Sequence, residues 1–116
     1  MAEYLLLLRG GPGQAGEEVS PAELQAYLEP YRAWLHELTM EGTLLSARRL
    51  DADGSKTVRW EGGGVTVMDG PYTESKDIVG GYYMLGVDTE AEALAIARRC
   101  PHLANGGSVE LRPAFA

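Results

Sequence analysis

The chain has 116 residues, 45% of them hydrophobic, and a formal net charge of −7. That length suffices for one domain, residues 1–116, with a real core, but not for a doubly wound sheet plus a second domain. Ten basic residues against 17 acidic ones argue against direct nucleic-acid binding, which needs clustered Lys and Arg.

The single cysteine, Cys100, excludes an internal disulfide and a four-thiolate metal site. The apolar run Leu5 to Leu8 is too short for a signal-peptide core or a membrane span. The expected setting is therefore a reducing cytoplasm, with no membrane partner.

Glu3 to Arg9 reads as a strand covered on both faces, because its apolar run is continuous and Gly10-Gly11 closes it. Gly11-x-Gly13-x-x-Gly16 imitates a dinucleotide-binding loop. Pro12 interrupts it, the helix start lies later at Ser20, and the position for a ribose-binding acid falls in mid-helix near His36. No Lys-Ser or Lys-Thr completes a P-loop either, so no cofactor is expected.

Ser20-Pro21-Ala22-Glu23 is a capping box with proline at the first helical position. Leu24, Leu28, Tyr31, Leu35 and Leu38 then form a stripe at helical spacing, with Tyr27 and Trp34 beside it. Pro30 predicts a kink near Leu28, and Gly42 predicts a left-handed cap.

Thr43 to Leu50 reads as the second strand. Two short alternating strands, Lys56 to Trp60 and Val65 to Met68, form a hairpin extension reached through a turn at Asp53-Gly54. Asp69-Gly70-Pro71 turns the chain, and Thr73 to Asp77 predicts one helical turn. Val79 to Val87 follows as the central strand, entered through Gly80-Gly81. Thr89-x-x-Glu92 caps a second helix, Glu90 to Arg99, with Leu94 and Ala97 expected toward the sheet. Pro101 stops it, and Ser108 to Arg112 is the last strand.

Two strand-helix-strand halves with right-handed crossovers fold most simply with both helices on one sheet face. The predicted class is an α+β, ferredoxin-like sandwich with an inserted β-hairpin. No third helix covers the other sheet face, so a homodimer, sheet against sheet, is expected.

The candidate chemistry centres on Asp69 and His102. Asp69 ends a strand at a tight turn, and His102 follows a helix end and Pro101 in a segment without regular structure of its own. A carboxylate bonded to one ring nitrogen fixes the tautomer and makes the other nitrogen a better base. Tyr72, Tyr82 and Tyr83 are candidate lining for the same cleft. Structural roles stay open beside these: a turn carboxylate bonding backbone amides for Asp69, a capping histidine for His102, and ordinary ring packing for the tyrosines. His36 reads as a solvated helix residue. Cys100 and His102 complete no zinc spacing, so no metal is expected.

Asp69-Gly70-Pro71-Tyr72 with Glu74, Lys76 and Gly80-Gly81-Tyr82-Tyr83 resembles the DGPF subgroup of the bacterial YCII-related family, which usually has Phe at the position of Tyr72. Cys100-Pro101-His102-Leu103, Gly106-Gly107-Ser108 and Glu110-Leu111-Arg112-Pro113 resemble its closing segment. The resemblance implies a dimeric α/β-barrel type of protein. It also implies His-Asp chemistry in some relatives, one of which is a dehydrochlorinase acting on a chlorinated hydroxyquinone. Their histidine lies early in the first helix; counted back from Gly42, that position here is Tyr31, a further candidate lining residue. DGPF domains also resemble partners found near, or fused to, sigma factors. Two readings follow: a small acid-base enzyme with a small-molecule pocket, and a non-catalytic ligand-sensing or regulatory module.

Overall fold

The computed structural model describes residues 1–11, 20–51, 54–70 and 78–115. Segment 12–19, Asp53 of the expected turn and segment 71–77, with Tyr72 and the helical turn expected from Thr73, lie outside the described residues.

The elements run β1 (Ala2–Arg9), α1 (Pro21–Glu41), β2 (Leu44–Arg49), β3 (Lys56–Glu61), β4 (Gly64–Asp69), β5 (Val79–Val87), α2 (Glu90–Arg98), a 3₁₀ turn (Pro101–Asn105) and β6 (Ser108–Ala114). The main sheet has the order β2-β5-β1-β6, and every neighbouring pair is antiparallel. That is the ferredoxin-like arrangement, with β3 and β4 as a separate two-stranded ribbon.

Local signals set the element ends. The Ser20 hydroxyl accepts from the Glu23 amide at 3.1 Å, and the Thr89 hydroxyl accepts from the Glu92 amide at 3.2 Å. Each bond satisfies a helix N–H that has no partner within the helix. Gly42 closes α1 at φ 75°, a conformation that costs glycine nothing. The helix continues through Pro30 as one element. Pro113 extends β6 beyond the expected end, which an edge strand tolerates.

One core joins both helices to one face of the sheet. Leu6, Leu8, Tyr83, Leu85 and Val87 meet Trp34 and Leu38 of α1 and Ala93, Ile96 and Ala97 of α2. Trp34 and Tyr83 pack edge to face, with ring centroids 4.7 Å apart. In α2 the inward residues are Ala93, Ile96 and Ala97, whereas Leu94 is exposed. In α1 the buried line runs through Trp34 and Leu38, while Leu35 stays partly exposed.

The molecule measures only 19 Å along its thinnest axis. That is about one helix layer on one sheet layer, given a spacing near 10 Å between layers. The other sheet face carries Leu5, Leu7, Tyr82 and Met84, paired across β1 and β5 and only partly buried. The ribbon adds a second apolar surface: Val58 pairs with Val67 and Trp60 with Val65, and all four are at least 63% exposed.

Candidate functional site

At one end of the sheet β1 and β2 finish and β5 begins, so Leu8, Gly81 and Arg49 lie in register across three strands. Beside them the register of β1 against β5 slips between Leu8 and Arg9, the signature of a bulge. The α1 helix passes over this corner and leaves a cleft of about 370 Å³. Its floor is Leu8, Ala47, Gly80, Gly81 and Tyr83; its helix wall is Tyr27, Leu28, Tyr31, Arg32 and Leu35; Arg48, Arg49 and His102 complete it. This explains why the apolar stripe of α1 is wider than its buried contact: Leu28 and Leu35 wall the cleft instead of entering the core.

The 3₁₀ turn delivers His102 to the cleft, where it is only 3% exposed. Sequence reasoning expected an irregular segment there; Pro101 instead opens a short helix that the Gly106 cap closes at φ 80°. Both ring nitrogens are engaged. Nε2 lies 2.9 Å from the Arg9 carbonyl oxygen, and Nδ1 lies 2.8 Å from the Tyr31 hydroxyl.

A carbonyl only accepts, so Nε2 carries the proton and Nδ1 is the acceptor. The Tyr31 hydroxyl therefore donates to Nδ1. Its oxygen in turn receives Asn105 Nδ2 at 3.0 Å, and the Tyr27 hydroxyl lies 3.1 Å away. With the Tyr31 proton committed to Nδ1, the Tyr27 hydroxyl donates to Tyr31. The result is a directed chain from Tyr27 in the cleft, through Tyr31, to a buried imidazole.

Burial holds Tyr31 well above the usual phenol range, against the opposing bond from Asn105. Tyr31 thus stays a neutral phenol at ordinary pH. Burial also pushes Tyr83 up to about 12, so the tyrosine on the cleft floor is neutral too.

Two backbones frame the imidazole. A Cβ at Gly11 would lie 2.8 Å from Cε1, and one at Gly107 would intrude on the ring itself. The ring fits its slot because both neighbours are glycine.

Of the residues singled out from the sequence, His102, Tyr31 and Tyr83 come together at the cleft. Asp69 does not join them. It ends β4 at the base of the ribbon, its side chain is 89% exposed, and its carboxylate pairs with Lys56. The expected hydrogen bond between Asp69 and His102 is absent, since both imidazole nitrogens are taken by Tyr31 and Arg9. Tyr82 points to the opposite sheet face, across from Leu7 and Arg48, because side chains alternate along a strand. Tyr72 lies outside the described residues. His36 is exposed on α1, as expected.

Sequence reasoning passed over Tyr27, Arg32, Arg49 and Asn105 as site residues. Tyr27 carried a signal, since it sits one helical turn before Tyr31. Among the described residues no group of three or more His, Cys, Asp or Glu side chains is placed to hold a metal ion. No helix among them is long and apolar enough to cross a membrane.

The fold and cleft define a small ferredoxin-like α+β protein with an open cleft between its first helix and its sheet. The YCII-related domain model matches residues 2–115, and the chain belongs to that family. It is 35% identical over 68 residues to an uncharacterised protein of Rhizobium meliloti (strain 1021). That match covers 58% of this chain and 55% of the relative, so it spans about half of the relative's length. Among solved structures, the chain resembles 5-chloro-2-hydroxyhydroquinone dehydrochlorinase from Burkholderia phenoliruptrix AC1100 in complex with 2,5-dihydroxybenzoquinone. The TM-score is 0.50 at 16% identity, with 97% of this chain and 93% of the other covered. That likeness bears on the fold.

Proposed function

We propose that this protein binds a small planar molecule in the cleft between α1 and the β2–β5 edge, and moves a proton there through Tyr27, Tyr31 and His102. One observation carries the reading: the cleft ends on a hydrogen-bonded chain that leads to a buried imidazole of fixed tautomer. In the step we envisage, an acidic ligand O–H or C–H breaks and its electron pair stays on the ligand. The Tyr27 oxygen takes that proton as the Tyr27 proton moves to Tyr31 and the Tyr31 proton moves to Nδ1. The imidazolium keeps its Nε2–H on the Arg9 carbonyl. No free tyrosinate is needed, so the raised Tyr31 value does not oppose the transfer. The neighbouring structure holds 2,5-dihydroxybenzoquinone, a ligand of the planar, hydroxylated kind this cleft would suit.

A second reading, binding without turnover in a sensing or regulatory role, draws on a different fact: both nitrogens of His102 are already bonded within the protein. We place either activity in a cytoplasmic homodimer joined through the face bearing Leu5, Leu7, Tyr82 and Met84. Sedimentation at micromolar concentration checks the dimer, and a monomer there rejects it.

The test of function is calorimetric titration with hydroxyquinones and hydroxybenzoates, followed by absorbance to detect turnover. We expect binding that Tyr31→Phe weakens by about tenfold, the loss of one good polar contact. Binding with no spectral turnover selects the sensing reading. A panel that never perturbs the resonances of Tyr27, Tyr31 and His102 rejects both.

A further inference from the structure

The cleft carries positive charge that no acidic side chain among the described residues pairs. In a chain with 17 acidic and 10 basic residues, ion pairing is the common state of the described cations. Arg9 and Arg112 pair with Glu110, Lys56 with Asp69, Arg59 with Glu61, and Arg99 with Glu37 and Glu41. Arg32, Arg48, Arg49 and Arg98 have no ion pair among the described residues; Arg32 and Arg49 line the cleft, while Arg48 borders it in register with Tyr82, whose face is the opposite one.

Their placement is specific. Arg32 lies on one helical line with Leu28 and Leu35, so it faces the cleft from the α1 wall between two apolar side chains. Arg49 stands at the end of β2 opposite Gly81, on the strand side. Arg48 sets one guanidinium nitrogen on the Ala47 carbonyl at 2.7 Å. Gly81, between these strands, has no side chain to fill the floor. A Cβ there would already lie 3.1 Å from the Arg48 carbonyl oxygen.

Like charges gathered at an apolar cleft repel one another. They are offset when an anion enters, and a planar guanidinium matches a carboxylate through two parallel N–H···O bonds. Resting on the reading of the cleft as a ligand site, we infer that its ligand is a small aromatic or enolic carboxylate. Arg32 and Arg49 clamp the carboxylate at the mouth. The ring lies against Leu8, Leu28, Leu35 and Ala47. A hydroxyl or oxo substituent reaches Tyr27 at the head of the proton chain. The charge thus orients the ligand and presents its acidic group to the residues that move the proton.

The test compares two isosteric probes, 4-hydroxybenzoate and 4-hydroxybenzyl alcohol, by NMR and calorimetric titration. The wild type should prefer the carboxylate by about tenfold or more, as a charge-assisted bidentate contact requires. The double variant Arg32→Gln with Arg49→Gln should bring the two probes within about twofold, leaving the affinity for the alcohol unchanged. Arg98→Gln, an unpaired arginine away from the cleft, should alter neither. Raising the salt should weaken the carboxylate alone. Equal binding of both probes, still weakened by Tyr31→Phe, overturns the anion inference and keeps the cleft as a site. A carboxylate preference that survives the double variant also overturns it. If neither probe reaches the cleft residues, the inference falls together with the reading it rests on.

Discussion

Adding one methyl group at Gly107 probes the packing that holds the imidazole in place. A Cβ there would lie 2.7 Å from His102 Cε1 and nearer still to Nε2 and Cδ2, against an ordinary carbon contact of roughly 3.5–4.0 Å. Gly107 is not among the glycines with positive φ, so backbone strain contributes nothing and the effect is steric. The ring is 3% exposed and cannot retreat toward Gly11, whose backbone closes the other side. His102 must therefore move and lose its bonds to the Arg9 carbonyl and the Tyr31 hydroxyl. Two such bonds contribute about 2 kcal/mol net, and residual overpacking adds about 1–3 kcal/mol. For a chain of 116 residues the expected loss of about 3–5 kcal/mol lowers Tm by roughly 12–20 °C. Calorimetric melting of wild type, Gly107→Ala, His102→Ala and the double variant measures it. In the His102→Ala background the methyl group meets no ring, so Gly107→Ala should cost under about 1 kcal/mol there. An equal cost in both backgrounds, or a single variant that melts with the wild type, refutes the reasoning.

Tyr31→Phe deletes the hydroxyl that donates to His102 Nδ1 and accepts from Asn105. With a buried ring nitrogen left unpaired, denaturant unfolding should show a loss of about 1–3 kcal/mol; a variant as stable as the wild type rejects the bond between Tyr31 and His102. Burial raises Cys100 from 9.0 to about 11 and Tyr83 from 10.0 to about 12. The unfolded chain releases these protons first, so it binds fewer protons than the native state and stability falls as pH rises. Tm should therefore decline from about pH 9 to about pH 12, and less steeply in Tyr83→Phe. A Tm that does not change across that interval contradicts it. The same burial predicts that Cys100, 3% exposed, reacts with a thiol reagent only on unfolding. Rapid labelling of the native protein removes that support.

Most of the architecture was legible because its signals are local. Ser20 with Glu23, Thr89 with Glu92, and Gly42 each act within one turn of chain, and all three cap as the spacing implied. The ribbon was legible from alternation, and Val58, Trp60, Val65 and Val67 do share one face. Helix faces were read less well at their edges. Leu94 was expected toward the sheet, yet Ala93, Ile96 and Ala97 take the inward positions, where α2 packs toward β5 and β6. Leu28 and Leu35 belong to the apolar stripe but serve a cleft, and hydrophobic period alone does not separate a core wall from a pocket wall.

The site was less legible because its bonds are long-range. Tyr31 and His102 are separated by 71 positions, and His102 and the Arg9 carbonyl by 93. Pairing Asp69 with His102 rested on residue type and loop position. Both features hold, yet the register of β3 against β4 commits Asp69 to Lys56 at the base of the ribbon. The family resemblance pointed at a better place for a different reason. It set Tyr31 where relatives carry a histidine, which read as a loss of the basic group. In the folded chain a histidine from another element stands directly behind that tyrosine, 2.8 Å from its oxygen. On the function proposed here, the basic nitrogen has moved one hydrogen bond deeper and the tyrosine has become its contact with the cleft. A variant that restores the early histidine and frees the later one, Tyr31→His with His102→Gln, would then retain proton transfer. Either substitution alone would lose it.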